Sequence, residues 1–453
     1  MSNKEEFQKK ELAILRKAID KAEVKAKMEL INSDIIGEII NIVEKFLRDK
    51  KLICYGGTAI NNILPKDDQF YNYDVEIPDY DFFSDNALKD CKELADIYCK
   101  KGFDDVEAKS GVHEGTFKVF VNYIPVADIT QINPLLFKSL KKDSIIINGI
   151  HYTPPNYLRM SMYLELSRPA GDVSRWEKVL KRLILLNKHY PIVGHKCNRQ
   201  KIQRDFEGSK SRAKQIFEIA KQSFIDQGLV FFGGYANLLY SRYMPENYRK
   251  KIKPIPDFDI LSENPLKSAQ ILKERLIDHN FTDIKILKAK GLDEVIPEHY
   301  EITVDGDTIA FIYKPLGCHS YNIIKIDRNK IKIATIDTML SFYLAFIYAN
   351  RLYYDENRIL CMAELLFKVQ AKHRLAQKGL LKRFSTNCYG VQKTLSSIRT
   401  EKTNKFSRLK ICRSKRNKKC TKRLRKQYEL NFLRYIPDDC SKNNTKKQKK
   451  TKK

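Results

Sequence analysis

The sequence lacks a Cys-x-x-Cys pair, lacks any long apolar run, has a single tryptophan and is short of acidic side chains. Its ten cysteines stand at positions 54, 91, 99, 197, 318, 361, 388, 412, 420 and 440. The only close His/Cys neighbours, His195-x-Cys197 and Cys318-His319, have no second pair at finger-like spacing, which argues against zinc. Isolated thiols suit a reducing compartment. No stretch of about 18 apolar residues occurs, so no membrane-spanning helix is expected. The opening residues, MSNKEEFQKKELAILRKA, carry charge instead of the apolar core of a secretory signal. Together these absences point to cytosol or nucleoplasm. Trp176, alone of its kind, is expected in a core and not as a base-stacking platform.

The acid shortage is the most informative absence. Lys and Arg number 84 against 55 Asp and Glu, a formal charge of +29 over 453 residues. Such an excess suits a polyanionic partner, nucleic acid before an acidic membrane. From Glu401 to Lys453 there are 21 basic and 4 acidic residues, so more than half of the excess lies in this basic C-terminal extension. Its end, SKNNTKKQKKTKK, cannot build a core and is expected to be disordered.

What is present is a repeated unit. Residues 4–30 read as a charged helical arm, and Ser33 to Arg48 as an amphipathic helix. A short apolar strand, Leu52 to Tyr55, leads into Gly56-Gly57-Thr58 and a helix. Later comes Ile77-Pro-Asp79-Tyr80-Asp81-Phe-Phe-Ser84. The order returns downstream. A helix from Arg212 to Phe224 and a strand from Leu229 to Phe232 precede Gly233-Gly234-Tyr235, and Ile255-Pro-Asp257-Phe258-Asp259-Ile-Leu-Ser262 follows. The second glycine precedes the first aspartate by 22 positions in one copy and 23 in the other. A period this long is a duplicated fold unit and not a solenoid repeat. Residues 153–190 are helical in pattern after the first copy, Thr335–Ala349 after the second, and Gly194–Ser211 reads as a linker.

The chemistry concentrates in the first copy. Residues two apart on a strand share a face, so Asp79 and Asp81 present paired carboxylates. Side-by-side anions need a cation between them, and magnesium favours such oxygen ligands. Asp128, in the apolar segment Val119-Phe-Val-Asn-Tyr-Ile-Pro-Val-Ala-Asp128, is costly to bury unless paired or metal-bound. If its strand neighbours the Asp-x-Asp strand, three carboxylates meet and two divalent ions can share them. Gly56 and Gly57, opening a helix, offer backbone N–H groups to a triphosphate, with the Thr58 hydroxyl as a further donor. Arg168, Arg175 and Lys178 read either as triphosphate cations or as a solvated helix face.

This string of strand, glycine pair, helix, Asp-x-Asp and later single Asp resembles the polymerase-β-type nucleotidyltransferase superfamily. The phrases ICYGGTAIN, IPDYDFFS, VADIT and ELSRPAGDVSRWEKVLKRL resemble more narrowly the poly(A) polymerase catalytic subunits of large DNA viruses, the giant-virus and poxvirus type. The resemblance spans roughly residues 35–350. It implies ATP as donor, an RNA 3′ end as acceptor, Mg2+ or Mn2+ as cofactor, and host cytoplasm (viral factory) or virion as location. It also implies an inactive copy in the tandem. Here Phe311 stands where the second copy would need its third aspartate.

The expected architecture is α/β (α+β), with tandem nucleotidyltransferase-like domains, each a small mixed sheet with flanking helices. The expected divisions are a helical arm at 1–32, a catalytic domain at 33–193, a linker at 194–211, a degenerate domain at 212–400 and the basic extension at 401–453. A uridylyl- or tRNA-end-adding transferase and a non-catalytic RNA-binding scaffold are the rival readings. A homodimer or a processivity subunit is the expected further partner, and no membrane is.

Overall fold

A computed structural model of the chain describes residues 11–19, 34–72, 78–197, 210–250, 252, 254–293, 295–351, 353–414, 419–438 and 440. Most of the expected N-terminal arm, much of the linker and the final basic run lie outside these. Residues 11–19 are helical. Among the described residues no helix is long and apolar enough to cross a membrane.

The chain divides into two compact units. One comprises Met1–Phe137, Lys141–Thr153 and Ile398–Lys453, the other Lys138–Leu140 and Pro154–Ser397. Each holds one mixed sheet.

In the first unit the strands are β1 (Ile53–Cys54), β2 (Tyr80–Ser84), β3 (Glu107–Ser110), β4 (Thr116–Val121), β5 (Ile124–Gln131), β6 (Ile145–Ile147) and β7 (Ile150–Tyr152). They lie in the order β3-β4-β5-β2-β1-β7-β6. The helix Asp34–Lys50 covers this sheet because Ile36, Ile39, Val43, Phe46 and Leu47 recur at helical spacing and are all buried. Each such side chain contributes about 1.5–3 kcal/mol on burial. The Tyr98 hydroxyl, on helix Ala87–Lys100, donates to the Ile39 carbonyl at 2.8 Å and ties the two covering helices together.

The second unit repeats the plan with β8 (Val230–Phe232), β9 (Phe258–Leu261), β10 (Ile284–Ala289), β11 (His299–Val304), β12 (Asp307–Tyr313), β13 (His319–Ile326) and β14 (Asn329–Ala334). Their order, β10-β11-β12-β9-β8-β14-β13, matches the first sheet strand for strand. Directions match as well: β2 runs parallel to β5 and β9 parallel to β12, while β1 opposes β2 and β8 opposes β9. Even an irregularity is shared. A register shift follows Val119 in the β4–β5 pair and Ile302 in the β11–β12 pair. A bulge is a specific local feature, and its recurrence supports one ancestral unit copied whole.

Each sheet gains an eighth strand at an opposite edge. β15 (Cys388–Tyr389) joins β13, whereas β16 (Arg434–Tyr435) joins β3 antiparallel. The described part of the basic extension is therefore folded back onto the first sheet, with Arg434–Tyr435 as its edge strand. The Ser110 backbone N–H donates to the Leu433 carbonyl at 3.1 Å, and Lys92 and Arg434 pair with Glu429 and Glu107.

Two divisions differ from those expected. The helices Pro155–Leu166 and Trp176–His189 belong to the second unit and not to the first copy they follow. Tyr157, Leu158, Met160, Met162, Tyr163 and Leu166 are buried nearly all round the first of these, against helix Ile336–Ile347. The linker begins as an anchored segment: the Gly194 N–H donates to Glu364 at 2.9 Å and the His195 N–H to Asn357 at 2.7 Å.

The expectation of isolated thiols also fails. Disulfides join Cys99 to Cys440, Cys197 to Cys361, Cys318 to Cys388 and Cys412 to Cys420, leaving Cys54 and Cys91 buried and unpaired. Three of these pairs are separated by 341, 164 and 70 residues, so no linear spacing announced them.

Candidate active site

The site of interest is built where β1 turns into helix Gly56–Ile63. Gly56 has φ +72, a left-handed value that glycine adopts without steric cost. A Cβ at Gly56 would meet Oδ2 of Asp81 at 2.7 Å, so the turn and the carboxylate are packed against each other. Gly57 follows in the first helical turn. Thr58 is buried, and its hydroxyl donates to the Asp79 carbonyl at 2.6 Å. That bond corrects its expected part: the hydroxyl anchors the aspartate segment to the turn and is not an exposed phosphate donor.

β2 and β5 are neighbours, and Asp81 lies directly opposite Asp128. Asp79 sits just before β2 and is exposed, while Asp81 and Asp128 are partly exposed. Tyr80 points the other way, buried, with its hydroxyl donating to Glu44 at 2.6 Å. Though much of the residue meets solvent, partial desolvation of its carboxyl raises the Asp79 pKa above the ordinary carboxylate range, and the Asp128 charge adds to the rise while Lys118 opposes it.

The residue that sequence reasoning missed is Lys118. It stands across from Asp128 in the antiparallel β4–β5 pair, and its ammonium forms an ion pair with Asp128 Oδ2. Beyond the carboxylates a polar ladder continues. The Tyr55 hydroxyl meets Thr130 at 2.9 Å, and Thr130 meets Thr116 at 3.2 Å. Tyr55 stacks on Phe83 with centroids 4.0 Å apart. Its phenol is pushed well above the ordinary range by burial and then by Asp81, Asp128 and Asp79.

Among the described residues no group of three or more His, Cys, Asp or Glu donors is gathered closely enough to grip a metal. The donor chemistry nevertheless fits a hard divalent ion: carboxylate oxygens on adjacent strands, beside a turn that would admit phosphate. One carboxylate is already neutralised by the Lys118 ammonium.

The three cations expected at the triphosphate lie in the second unit. Arg168 follows helix Pro155–Leu166, Arg175 ends a short 3-10 turn and pairs with Glu165 at 3.1 Å, and Lys178 is exposed on helix Trp176–His189. Trp176 is half-buried, with its indole N–H donating to the Glu165 carbonyl at 3.0 Å.

The second copy shows what the same positions become without the third aspartate. Asp259 faces Phe311 in the register that joins Asp81 to Asp128. Opposite Phe311 stands Glu301, in place of Lys118. His299 and Tyr313 replace Thr116 and Thr130 and stack at 4.5 Å, and Phe232 packs on Tyr313 at 5.3 Å. Gly234, Asp257, Asp259, Phe311, Tyr354 and Arg358 line a pocket there. Arg358 comes three residues after Asp355, a helix N-cap; Arg175 comes three after Asp172, which caps its own turn. The shared Asp-to-Arg spacing is visible in the sequence.

Three comparisons with known proteins agree with the motif resemblance. Residues 41–172 match the family model of the poly(A) polymerase catalytic subunit, a stretch containing the glycine pair, the three aspartates and Arg168. A protein of Acanthamoeba polyphaga mimivirus, described as a poly(A) polymerase catalytic subunit, is 26% identical over 490 residues, covering 95% of this chain and 77% of its own length. One so described from African swine fever virus (isolate Tick/Malawi/Lil 20-1/1983) is 32% identical over 180 residues, 38% of each chain. The crystal structure of the Megavirus polyadenylate synthase superposes with a TM-score of 0.77 at 20% identity, over 99% of this chain and 90% of that one. At that identity the likeness speaks for the fold.

Proposed function

We propose that this chain, whose residues 41–172 match the poly(A) polymerase catalytic subunit, is a template-independent poly(A) polymerase: it transfers AMP from ATP to an RNA 3′ end and releases pyrophosphate. The observation that carries the reading is the register of Asp81 against Asp128 on adjacent strands, packed on the Gly56 turn.

Asp79, Asp81 and Asp128 are the residues that would hold Mg2+ or Mn2+ through carboxylate oxygens, two ions in the expected scheme. Such ions would neutralise the phosphoryl oxygens and make the RNA 3′-hydroxyl easier to deprotonate. The protein's own part is positioning. Gly56 and Gly57 bring backbone N–H groups at a helix start to the triphosphate, where the helix dipole favours anions. Thr58 fixes the distance between that turn and Asp79. Arg168, Arg175 and Lys178 are the cations proposed for the triphosphate, on the motif resemblance that covers them; in the second copy Arg358 lines a pocket with Asp257 and Asp259. RNA is held through its phosphates, so binding falls steeply with salt. A second copy of the chain or a processivity subunit completes the assembly. The virion is the favoured location, because paired cysteines suit it better than a reducing cytosol.

Extension of a short RNA primer, with each of the four NTPs supplied separately, tests the reading. ATP alone should lengthen the primer with wild type and fail with Asp81→Ala. Preferential uridylate addition would move the chain to another terminal transferase. No extension in either Mg2+ or Mn2+ would leave a scaffold.

A further inference from the structure

Lys118 is absorbed by none of the roles above, and its setting is too specific for a solvated strand residue. β4 and β5 are antiparallel, and Lys118 is the direct cross-strand partner of Asp128. Residues so paired project to the same face, the one that carries Asp81 on the next strand. The ammonium closes on Asp128 Oδ2, a carboxylate with 18% of its side chain exposed. A monovalent cation is thus already bound to one of the oxygens that Asp128 could offer a divalent ion.

The repeat supplies an internal control. Where the second copy has lost the aspartate, the cross-strand partner has also changed sign: Glu301 faces Phe311 and accepts from the Thr308 hydroxyl at 2.5 Å. If the lysine were retained for strand solubility, the loss of the aspartate would not bear on it. The lysine occurs where the carboxylate does, as a partner in one device should.

We propose that Lys118 is a positioning residue that holds the cation seat at Asp128 closed until a nucleotide brings its divalent ion. A bare ion must displace the ammonium against the attraction of Asp128. An ion arriving on a triphosphate brings anionic oxygens that receive the displaced ammonium, so displacement costs little. The Lys118 side chain is 38% exposed on a four-carbon stem, which leaves it free to swing. Cation loading is thereby tied to nucleotide loading, and idle metal binding is suppressed. This rests on the poly(A) polymerase reading of the site.

The test is titration of the full chain with Mn2+ alone, followed by electron paramagnetic resonance, beside steady-state kinetics with ATP. Lys118→Met should bind bare Mn2+ roughly twofold to fivefold more tightly than wild type, the worth of a partly exposed ion pair. Its KM for ATP should rise more than its kcat falls. Lys118→Arg keeps the charge and should keep the weak Mn2+ affinity. Equal Mn2+ affinity in Lys118→Met and wild type, or equal tightening in Lys118→Arg, overturns the proposal. Adding Asp81→Asn to Lys118→Met should abolish Mn2+ binding; retained binding there would sink the carboxylate site itself, a separate failure.

Discussion

Two copies of one fold unit sit in this chain, and they differ least in backbone and most in one layer of side chains. Strand order, strand direction and even the bulge beyond Val119 and Ile302 coincide. The cross-strand layer that reads Lys118, Asp128, Thr116, Thr130 and Tyr55 in the first reads Glu301, Phe311, His299, Tyr313 and Phe232 in the second. A polar ladder that a cation could organise has become an aromatic stack that needs none. Asp257 and Asp259 survive beside Gly234, whose N–H donates to Asp259 at 3.3 Å, and Arg358 lines the same pocket. The fold tolerates two fillings because the backbone hydrogen bonds, which set the topology, do not depend on what fills that layer. Function therefore resides in the filling and not in the fold.

The comparison breaks at once if the wrong copy proves active. Asp81→Ala should lower primer extension on the order of a thousandfold or more, since catalysis of this type is nearly all positioning and charge stabilisation. Asp259→Ala should leave kcat within about twofold, a local packing change within the second copy. Parallel kcat measurements on both variants decide it. Large losses from Asp259→Ala would make the second copy a working site.

The aromatic filling should resist reversal. Phe311 is 3% exposed, and Phe311→Asp would bury a carboxylate facing Glu301 across the pair. We expect a cost of about 3–5 kcal/mol, as for an uncompensated buried charge, and no gain in activity. Denaturant melts read the first and primer extension the second.

Acid should also separate the units. His299 and His319 are buried in the second unit, and burial lowers their pKa values to about 4 and about 3. Both are neutral when folded, and the His319 ring nitrogens have no hydrogen-bond partner. The unfolded chain takes up protons below about pH 6.5, while the folded chain does so only near its depressed values. Stability is therefore intact above pH 6.5 and lost as pH falls toward 4, on the order of 2–3 kcal/mol per histidine. Melting followed between pH 7 and 4 should show the loss, and His319→Phe should reduce it. A melt that is flat over this range would show that these rings are not held neutral.

Much of this was legible in the sequence, for reasons that differ by feature. The duplication showed because Gly56-Gly57 and Asp79-x-Asp81 recur as Gly233-Gly234 and Asp257-x-Asp259, short motifs fixed by tight turns and shared strand faces. Phe311 was placed correctly because Ala310-Phe311-Ile312 follows the pattern of Ala127-Asp128-Ile129, and the register does set it opposite Asp259. Lys118 was not, because of the bulge. Asn122 and Tyr123 both have positive φ and close a tight hairpin, with Val121 opposite Ile124. Counting back from that turn puts Lys118 opposite Ala127, and only the register shift at Val119/Phe120 moves it to Asp128. The helices Pro155–Leu166 and Trp176–His189 were assigned to the wrong unit because sequence order suggested one neighbour and apolar faces all round chose another. The disulfides were invisible, since their partners meet only after the fold forms.

The smallest expected effect probes the comparison most closely. If Lys118 and Asp128 form one device, grafting both should partly repair what grafting one breaks. Phe311→Asp alone faces Glu301, a like charge directly opposite, which is unfavourable. Adding Glu301→Lys replaces repulsion by the cross-strand pairing seen in the first copy. A double-mutant cycle should then give a coupling of about 1–2 kcal/mol in favour of the pair, since contacting charges are not additive. The recovery will be incomplete, because His299 and Tyr313 still flank the position where the first copy has Thr116 and Thr130, and neither offers the open polar wall of the original. Additive effects in the cycle would mean that these two positions do not meet across β11 and β12 as Lys118 and Asp128 do across β4 and β5. The equivalence of the two layers, and not the duplication of the backbone, would then be the part to give up.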